Sequence, residues 1–211
     1  MGQYYYPTLF KQKGKRLYSS QFYAHEFGAT TLDNGYIIHH GLKLTEHSYV
    51  GNSFVETVLT QLFNNPQRVY WCGDYFEKDD FENPEDYNRM VRTWKNFRED
   101  GKGRKYNHPE EVQDFSGDKF IVNHTKKCFI DMSKYCKKAP TATEDDDCHF
   151  HPLCLLTAVG NGRGGGDYSG INEEDVGIWA GDLIEIKANR LVIPEDYRDV
   201  TKNIGFQETY R

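Results

Sequence analysis

Long apolar runs are missing from this 211-residue chain, and nothing in it approaches the roughly 20 apolar residues of a membrane-spanning helix. Its opening segment, MGQYYYPTLFKQKGK, lacks the apolar stretch and small-residue cleavage site of a secretory leader. Tyr6 stands where a myristoylation signal on Gly2 needs serine or threonine. Cysteine is sparse, odd in number and irregularly spaced, at positions 72, 128, 136, 148 and 154. Without a leader, free thiols in a reducing, cytoplasmic compartment fit better than a disulfide framework. Positive charge is also short: 26 Lys and Arg face 32 Asp and Glu, a net charge of −6. That balance argues against nucleic-acid binding over the whole surface, and no membrane partner is expected.

Aromatic residues are what the chain has in quantity, with 15 Tyr, 13 Phe and 3 Trp. They suit half-buried strands and core positions. The length allows one compact domain, or two similar halves (about 1–110 and 111–193) with a tail from 194 to 211.

The pattern predicts an α+β fold with a mainly antiparallel sheet. Residues 3–10 and 16–23 read as a hairpin around the polar turn 11–15. A strand is expected at 36–40, entered through the turn residues 33–35. Ser53 and Glu56 form a capping-box pattern, and Val55, Val58, Leu59, Leu62 and Phe63 follow at helical spacing, predicting a helix over 53–64. A strand at 68–72 comes next. Asn83 and Pro84 then open a second helix, to about residue 98, with Tyr87, Met90, Val91 and Trp94 as its buried stripe. Its other side carries Arg89, Arg92, Lys95 and Arg98, continuing into Lys102, Arg104 and Lys105, which reads as a solvated basic face or a docking patch. Strands are expected at 119–122 and 127–131, a flexible loop at 137–147, and strands at 153–159 and 182–187.

Three short words occur twice in the same order. Residues 36–40 resemble 120–124, Val50-Gly51-Asn52 recurs as Val159-Gly160-Asn161, and Trp71-Cys72-Gly73-Asp74 recurs as Trp179-Ala180-Gly181-Asp182. The spacing from valine to tryptophan is 21 residues in one copy and 20 in the other, which suggests an internal duplication. In such a unit a strand would end at Trp-x-Gly-Asp, with the glycine and aspartate turning the chain.

The second copy holds the most unusual segment, residues 160–170, where six of the 19 glycines fall within 11 residues. Successive free amides in such a loop can form an anion-binding nest. Asn161, Gly162, Arg163, Gly164, Gly165, Gly166, Asp167 and Tyr168 are therefore the candidate ligand-binding residues, with Arg163 suited to phosphate or carboxylate. His40, Lys43 and Trp71 are expected to share the pocket. The spacing Gly160-x-Gly162-x-x-Gly165 matches a dinucleotide fingerprint formally, but the residues after it cannot open a good helix. The Gly-Lys-Ser/Thr of a phosphate loop is absent.

A metal reading rests on Cys148, His149, His151 and Cys154, where an extended chain would point both histidines to one side. The C-x5-C spacing is unusual for zinc and Pro152 restrains His151, so no cofactor is expected. Glu46 and His47 could form an acid–base pair, but no nucleophile stands beside them. No catalytic residue is assigned.

The combination of Met1-Gly2-Gln3-Tyr4-Tyr5, Gly41-Leu42-Lys43-Leu44-Thr45-Glu46-His47-Ser48, Trp71-Cys72-Gly73-Asp74-Tyr75 and the loop from Gly160 to Tyr168 resembles a family of uncharacterised bacteriophage, prophage and bacterial proteins. The resemblance spans most of the chain. It implies a phage or mobile-element setting, hence a host cytoplasm, and transfers no catalytic residue. Relatives carry the words around 151–158 without Cys154, which weakens the zinc reading further. The expectation is a non-enzymatic binder of a small anionic ligand such as a nucleotide, which would sequester a host defence signal. An inhibitor or adaptor of a host protein, using the acidic run 144–147 or the basic helix, is one alternative; a nucleotide-acting hydrolase or transferase is another.

Overall fold

Every residue from Tyr5 to Phe10 is buried, because the sheet they enter is covered on both faces. The computed structural model describes residues 1–13, 16–24, 29–31, 37–39, 41–99, 119–138 and 150–208. Gly14, the turn 33–35, His40, Lys102, Arg104, Lys105, the acidic run 144–147, Cys148 and His149 lie outside the described residues.

The strands are β1 (Tyr5–Lys13), β2 (Arg16–Gln21), β3 (Ala29–Thr31), β4 (Ile37–His39), β5 (Gln67–Gly73), β6 (Phe120–Asn123), β7 (Cys128–Asp131), β8 (Ala158–Val159), β9 (Gly170–Ile171), β10 (Leu183–Lys187), β11 (Arg198–Asp199) and β12 (Gln207–Glu208). The helices are α1 (Leu44–His47), α2 (Ser53–Leu62), α3 (Pro84–Glu99), α4 (Met132–Lys138) and α5 (Pro152–Leu156). The protein is thus α+β, dominated by an eight-stranded, mainly antiparallel sheet. Seven strands run in the order β11-β7-β6-β10-β5-β1-β2, and β8 pairs parallel with β5 at Trp71 and Cys72. β10 takes the same edge of β5 at its other end, opposite Gln67 and Arg68.

Side chains alternate across this sheet and fill two layers. On one face Tyr5, Leu9, Val69, Trp71, Ile121, Ile184 and Ile186 join Val55, Val58, Leu59 and Leu62 of α2. Burying each such side chain stabilises the fold by about 1.5–3 kcal/mol. This core runs from Tyr5 to Phe206 and draws on both sequence halves and the tail. On the other face α3 and the segment before it lay Met90 and Phe81 over Phe10, Tyr70 and Cys72. Further along the same face Ile193 covers Val122 and Phe129.

Both expected helices and the strand at β5 form, as does the β6–β7 hairpin. Three details differ from expectation. The cap of α2 is Asn52, whose side chain accepts from the Phe54 amide, rather than Ser53. Residues 152–156 form α5 where a strand was expected. A short apolar run buried on all sides has no period to separate strand from helix, and Pro152 sits comfortably in the first turn. The repeated words share local turns without sharing elements. Trp71 lies inside a strand that ends at Gly73, whereas Trp179 lies in a turn that precedes β10. Among the described residues no helix is long and apolar enough to cross a membrane.

Candidate functional site

The glycine loop leaves β8 through Gly160, and its polar groups turn inward. Asn161 closes it with two bonds to one residue, donating through Nδ2 to the Tyr168 carbonyl (2.9 Å) and accepting the Tyr168 amide (2.8 Å). Inside that clamp the amides of Arg163 and Gly164 do converge, and Asp167 occupies them. Its Oδ2 accepts both, at 2.7 and 2.8 Å, while Oδ1 accepts the buried Tyr5 hydroxyl at 2.9 Å. A carboxylate of the loop itself therefore fills the nest. Burial first, and then the Asp167 charge, hold the Tyr5 phenol firmly protonated.

Arg163 faces away from the nest. Nη1 donates to the Tyr75 carbonyl at 2.8 Å and Nη2 to Asp80 at 2.7 Å, with Glu77 at 3.5 Å. The loop backbone is packed as closely. The Gln3 amide donates to the Gly165 carbonyl, the Gly165 amide to the Met1 carbonyl, and the Gln3 side chain to the Gly160 carbonyl. A Cβ on Gly164 would stand 2.8 Å from the Gln3 backbone nitrogen, so glycine there admits the N-terminal segment of the protein. Thr45 holds the Gly166 carbonyl through amide and hydroxyl, both at 3.1 Å.

The other candidate residues are dispersed around this clasp. Lys43 lies against Gly166 and pairs with Glu46 at 2.6 Å. Trp71 is fully buried, and its indole donates to His47 Nε2 at 2.7 Å. His47 Nδ1 meets the Gly41 carbonyl at 2.9 Å, so both ring nitrogens are engaged in the core. Glu46 thus pairs with Lys43, while His47 bridges the Gly41 carbonyl and the Trp71 indole.

His151 and Cys154 are buried at α5, and no group of three or more metal-ligating side chains occurs among the described residues. Burial holds the His151 pKa down, at about 3, and pushes the Cys154 thiol well up. Among the described residues neither ring nitrogen of His151 has a hydrogen-bond partner.

A concavity opens on the α3 face of the sheet, with a volume of about 330 Å³. Arg68, Lys126, Asp80, Asp182, Phe81 and Ile178 line it. Arg163 of the glycine loop grips Asp80, so the loop braces one wall. Most charge in the cleft is already matched. Buried Asp86 beneath it accepts from Tyr70 (2.7 Å), Arg68 Nη1 (2.9 Å) and Arg89 (3.0 Å). Asp80 also accepts the Glu77 amide, and Asp182 accepts Asn123 Nδ2 at 2.7 Å. Arg68 directs Nε to the Gly181 carbonyl at 2.7 Å. Lys126 is the loosest member, with its nearest carboxylate, Asp182, at 3.6 Å.

Sequence reading missed this site because Arg68, Lys126 and Asp182 belong to three separate strand ends. The only local trace is the second Trp-x-Gly-Asp word, which supplies Gly181 and Asp182 to the wall. Comparison of the chain with protein-family models, curated proteins and solved structures finds no match.

Proposed function

We propose that the protein is a non-enzymatic binder of a small anionic ligand, of the size and chemistry of a nucleotide, and that the ligand sits in the cleft beside the glycine loop. The observation that carries this reading is the pair of cations at the cleft. Lys126 makes only a long ion pair, to Asp182 at 3.6 Å, and Arg68 keeps its Nη2 without a partner among the described residues. Two of the three acids that line the cleft, Asp80 and Asp182, are occupied by internal donors and the third is Glu82, so an incoming phosphate meets donors with less competing charge than the residue count suggests. The α3 N-terminus, capped by Asn83 at the same cleft, adds a favourable field for negative charge. In this reading the glycine loop is scaffold, and its contribution is to hold Asp80 through Arg163. Sequestration of a phosphorylated host signal would follow from the phage setting that the sequence resemblance implies.

Thermal-shift measurements against nucleotides and inorganic phosphate test it. A ligand at 100 times its Kd should stabilise the protein by about 2.7 kcal/mol. Lys126→Ala should abolish the shift with its own melting temperature unchanged. No shift with any nucleotide sinks the proposal.

A second reading, an adaptor that docks a host protein, is favoured by a groove of about 270 Å³ between the β1–β2 hairpin and α3. Phe10, Leu17, Arg89 and Arg92 line it, and Arg92 is exposed. A stable partner co-purifying with the wild type but not with Arg92→Glu, with no nucleotide shift, would favour that reading.

A further inference from the structure

Glu185 is out of place by the rules of its strand. It stands in Leu183-Ile184-Glu185-Ile186, one residue from the core on either side, and is 5% exposed. Carboxylates are rarely buried without a dedicated partner. Here the partners form a chain. Glu185 Oε2 lies 2.8 Å from His124 Nε2, and His124 Nδ1 lies 3.0 Å from the Tyr197 hydroxyl. Lys187 Nζ holds the other carboxylate oxygen at 2.8 Å. With Nε2–H donating to Glu185, Nδ1 is left as the acceptor that receives the tyrosine proton. A nucleophile, a base and a group that orients the base are thus in line.

Access is available at the outer end only. Tyr197 and His124 are half-buried, with the His124 side chain 24% exposed, while Glu185 is shielded beneath them. Tyr197 packs against the patch formed by Val122, Phe129 and Ile193, which fixes its ring. The surroundings carry cations. Lys126 and Lys127 follow His124 in one turn, and Lys187 flanks Glu185.

We propose that Tyr197 is a nucleophile activated by His124, with Glu185 as the positioning residue, and that its electrophile is a phosphate ester. Tyr197 Oη attacks phosphorus as its proton passes to His124 Nδ1. The new P–O bond forms while the P–O bond to the leaving alkoxide breaks. The alkoxide departs with the electron pair and takes the proton from His124. Charge and atoms balance without a redox partner. His124 directly precedes Thr125 and Lys126, which line the cleft, so the two sites adjoin. The step is a single modification of Tyr197 itself, and its labelling readout is distinct from the thermal shift that tests the cleft.

An arylsulfonyl fluoride provides a tetrahedral electrophile that reacts with activated tyrosines, forming an S–O bond as fluoride leaves. Labelling is read residue by residue by mass spectrometry on the full-length protein. Tyr18, 49% exposed, and Tyr4, 41% exposed, serve as internal references. General-base assistance contributes about 10²–10⁴-fold, so Tyr197 should label at least about tenfold faster than Tyr18 despite its lower exposure. Labelling should fall to the Tyr18 rate in His124→Gln, and inorganic phosphate should slow it at Tyr197 but not at Tyr18. Equal rates for Tyr197 and Tyr18 in the wild type overturn the nucleophile assignment whatever the variant does. Indifference to phosphate overturns the choice of substrate class.

Discussion

Replacing Asp167 by alanine removes one acceptor from three donors at once. Two of them, the Arg163 and Gly164 amides, lie near the loop surface and regain water in the variant, so each loss should cost about 1 kcal/mol. The third, the Tyr5 hydroxyl, belongs to a side chain with no exposure, and an unsatisfied buried donor costs about 1–3 kcal/mol. The expected total is about 3–5 kcal/mol. Tyr5→Phe alone removes one bond and leaves the carboxylate its two amides, and should cost about 1 kcal/mol. In the double variant no stranded hydroxyl remains, so the two losses should fall short of additivity by about 1–2 kcal/mol. Urea denaturation of the four proteins measures this, with the m-value expected to stay constant. If Asp167→Ala unfolds at the wild-type midpoint, or if the cycle is additive, the carboxylate does not clamp the loop and the scaffold role assigned to it is wrong.

Acid should destabilise the protein through His151. Its folded pKa, about 3, lies below the ordinary value of about 6.5, so the stability it contributes is complete above pH 6.5 and is lost as pH falls toward 3. The loss should reach about 2.7 kcal/mol by pH 4.5, and His151→Leu should flatten the curve in that window. Asp131 and Asp199 lose their own contributions only at lower pH, in and below the usual carboxylate range. Despite partial burial, hydrogen bonds from Ser133 and Thr201 hold them below the usual carboxylate range. Parallel curves of melting temperature against pH for wild type and variant would count against this. Gly164→Ala, which drives a Cβ to 2.5 Å from the Gln3 Cβ and 2.8 Å from its backbone nitrogen, should cost more than 2 kcal/mol, as overpacking commonly does at about 1–3. Gly162→Ala meets no atom within 4 Å and should cost only the strain of its +90° φ, about 1–2 kcal/mol. Equal midpoints for the two variants in chemical denaturation would show that the loop is not packed on the N-terminal segment around Gln3.

Much of the fold is written locally. Val55, Val58, Leu59 and Leu62 recur at helical spacing and become the buried face of α2. Asn83 and Pro84 start α3 where their chemistry suits a first turn, and Asn83 Oδ1 accepts the Glu85 amide. The aromatic strands pair in the antiparallel manner that their turns predict. Errors arose where local chemistry is degenerate. Ser53 and Asn52 are both good caps, and only the backbone at the helix start decides between them. Leu153-Cys154-Leu155-Leu156 is apolar without a period, so strand and helix are equally consistent with it.

The glycine loop shows where sequence alone stops. Its composition determined that the backbone there makes close approaches and sharp turns, because side chains would forbid them. What approaches was left open, and tertiary structure decided it: the N-terminal segment ahead of β1, Thr45, and the loop's own Asp167 take the amides and carbonyls a ligand would need. The same holds for Arg68 with Lys126, and for Tyr197 with His124 and Glu185. Each set meets only when strands far apart in the chain become neighbours in one sheet. Residue type sets what a side chain is able to donate or accept. Which partner reaches it first is set by packing, and that is not a local property of the chain.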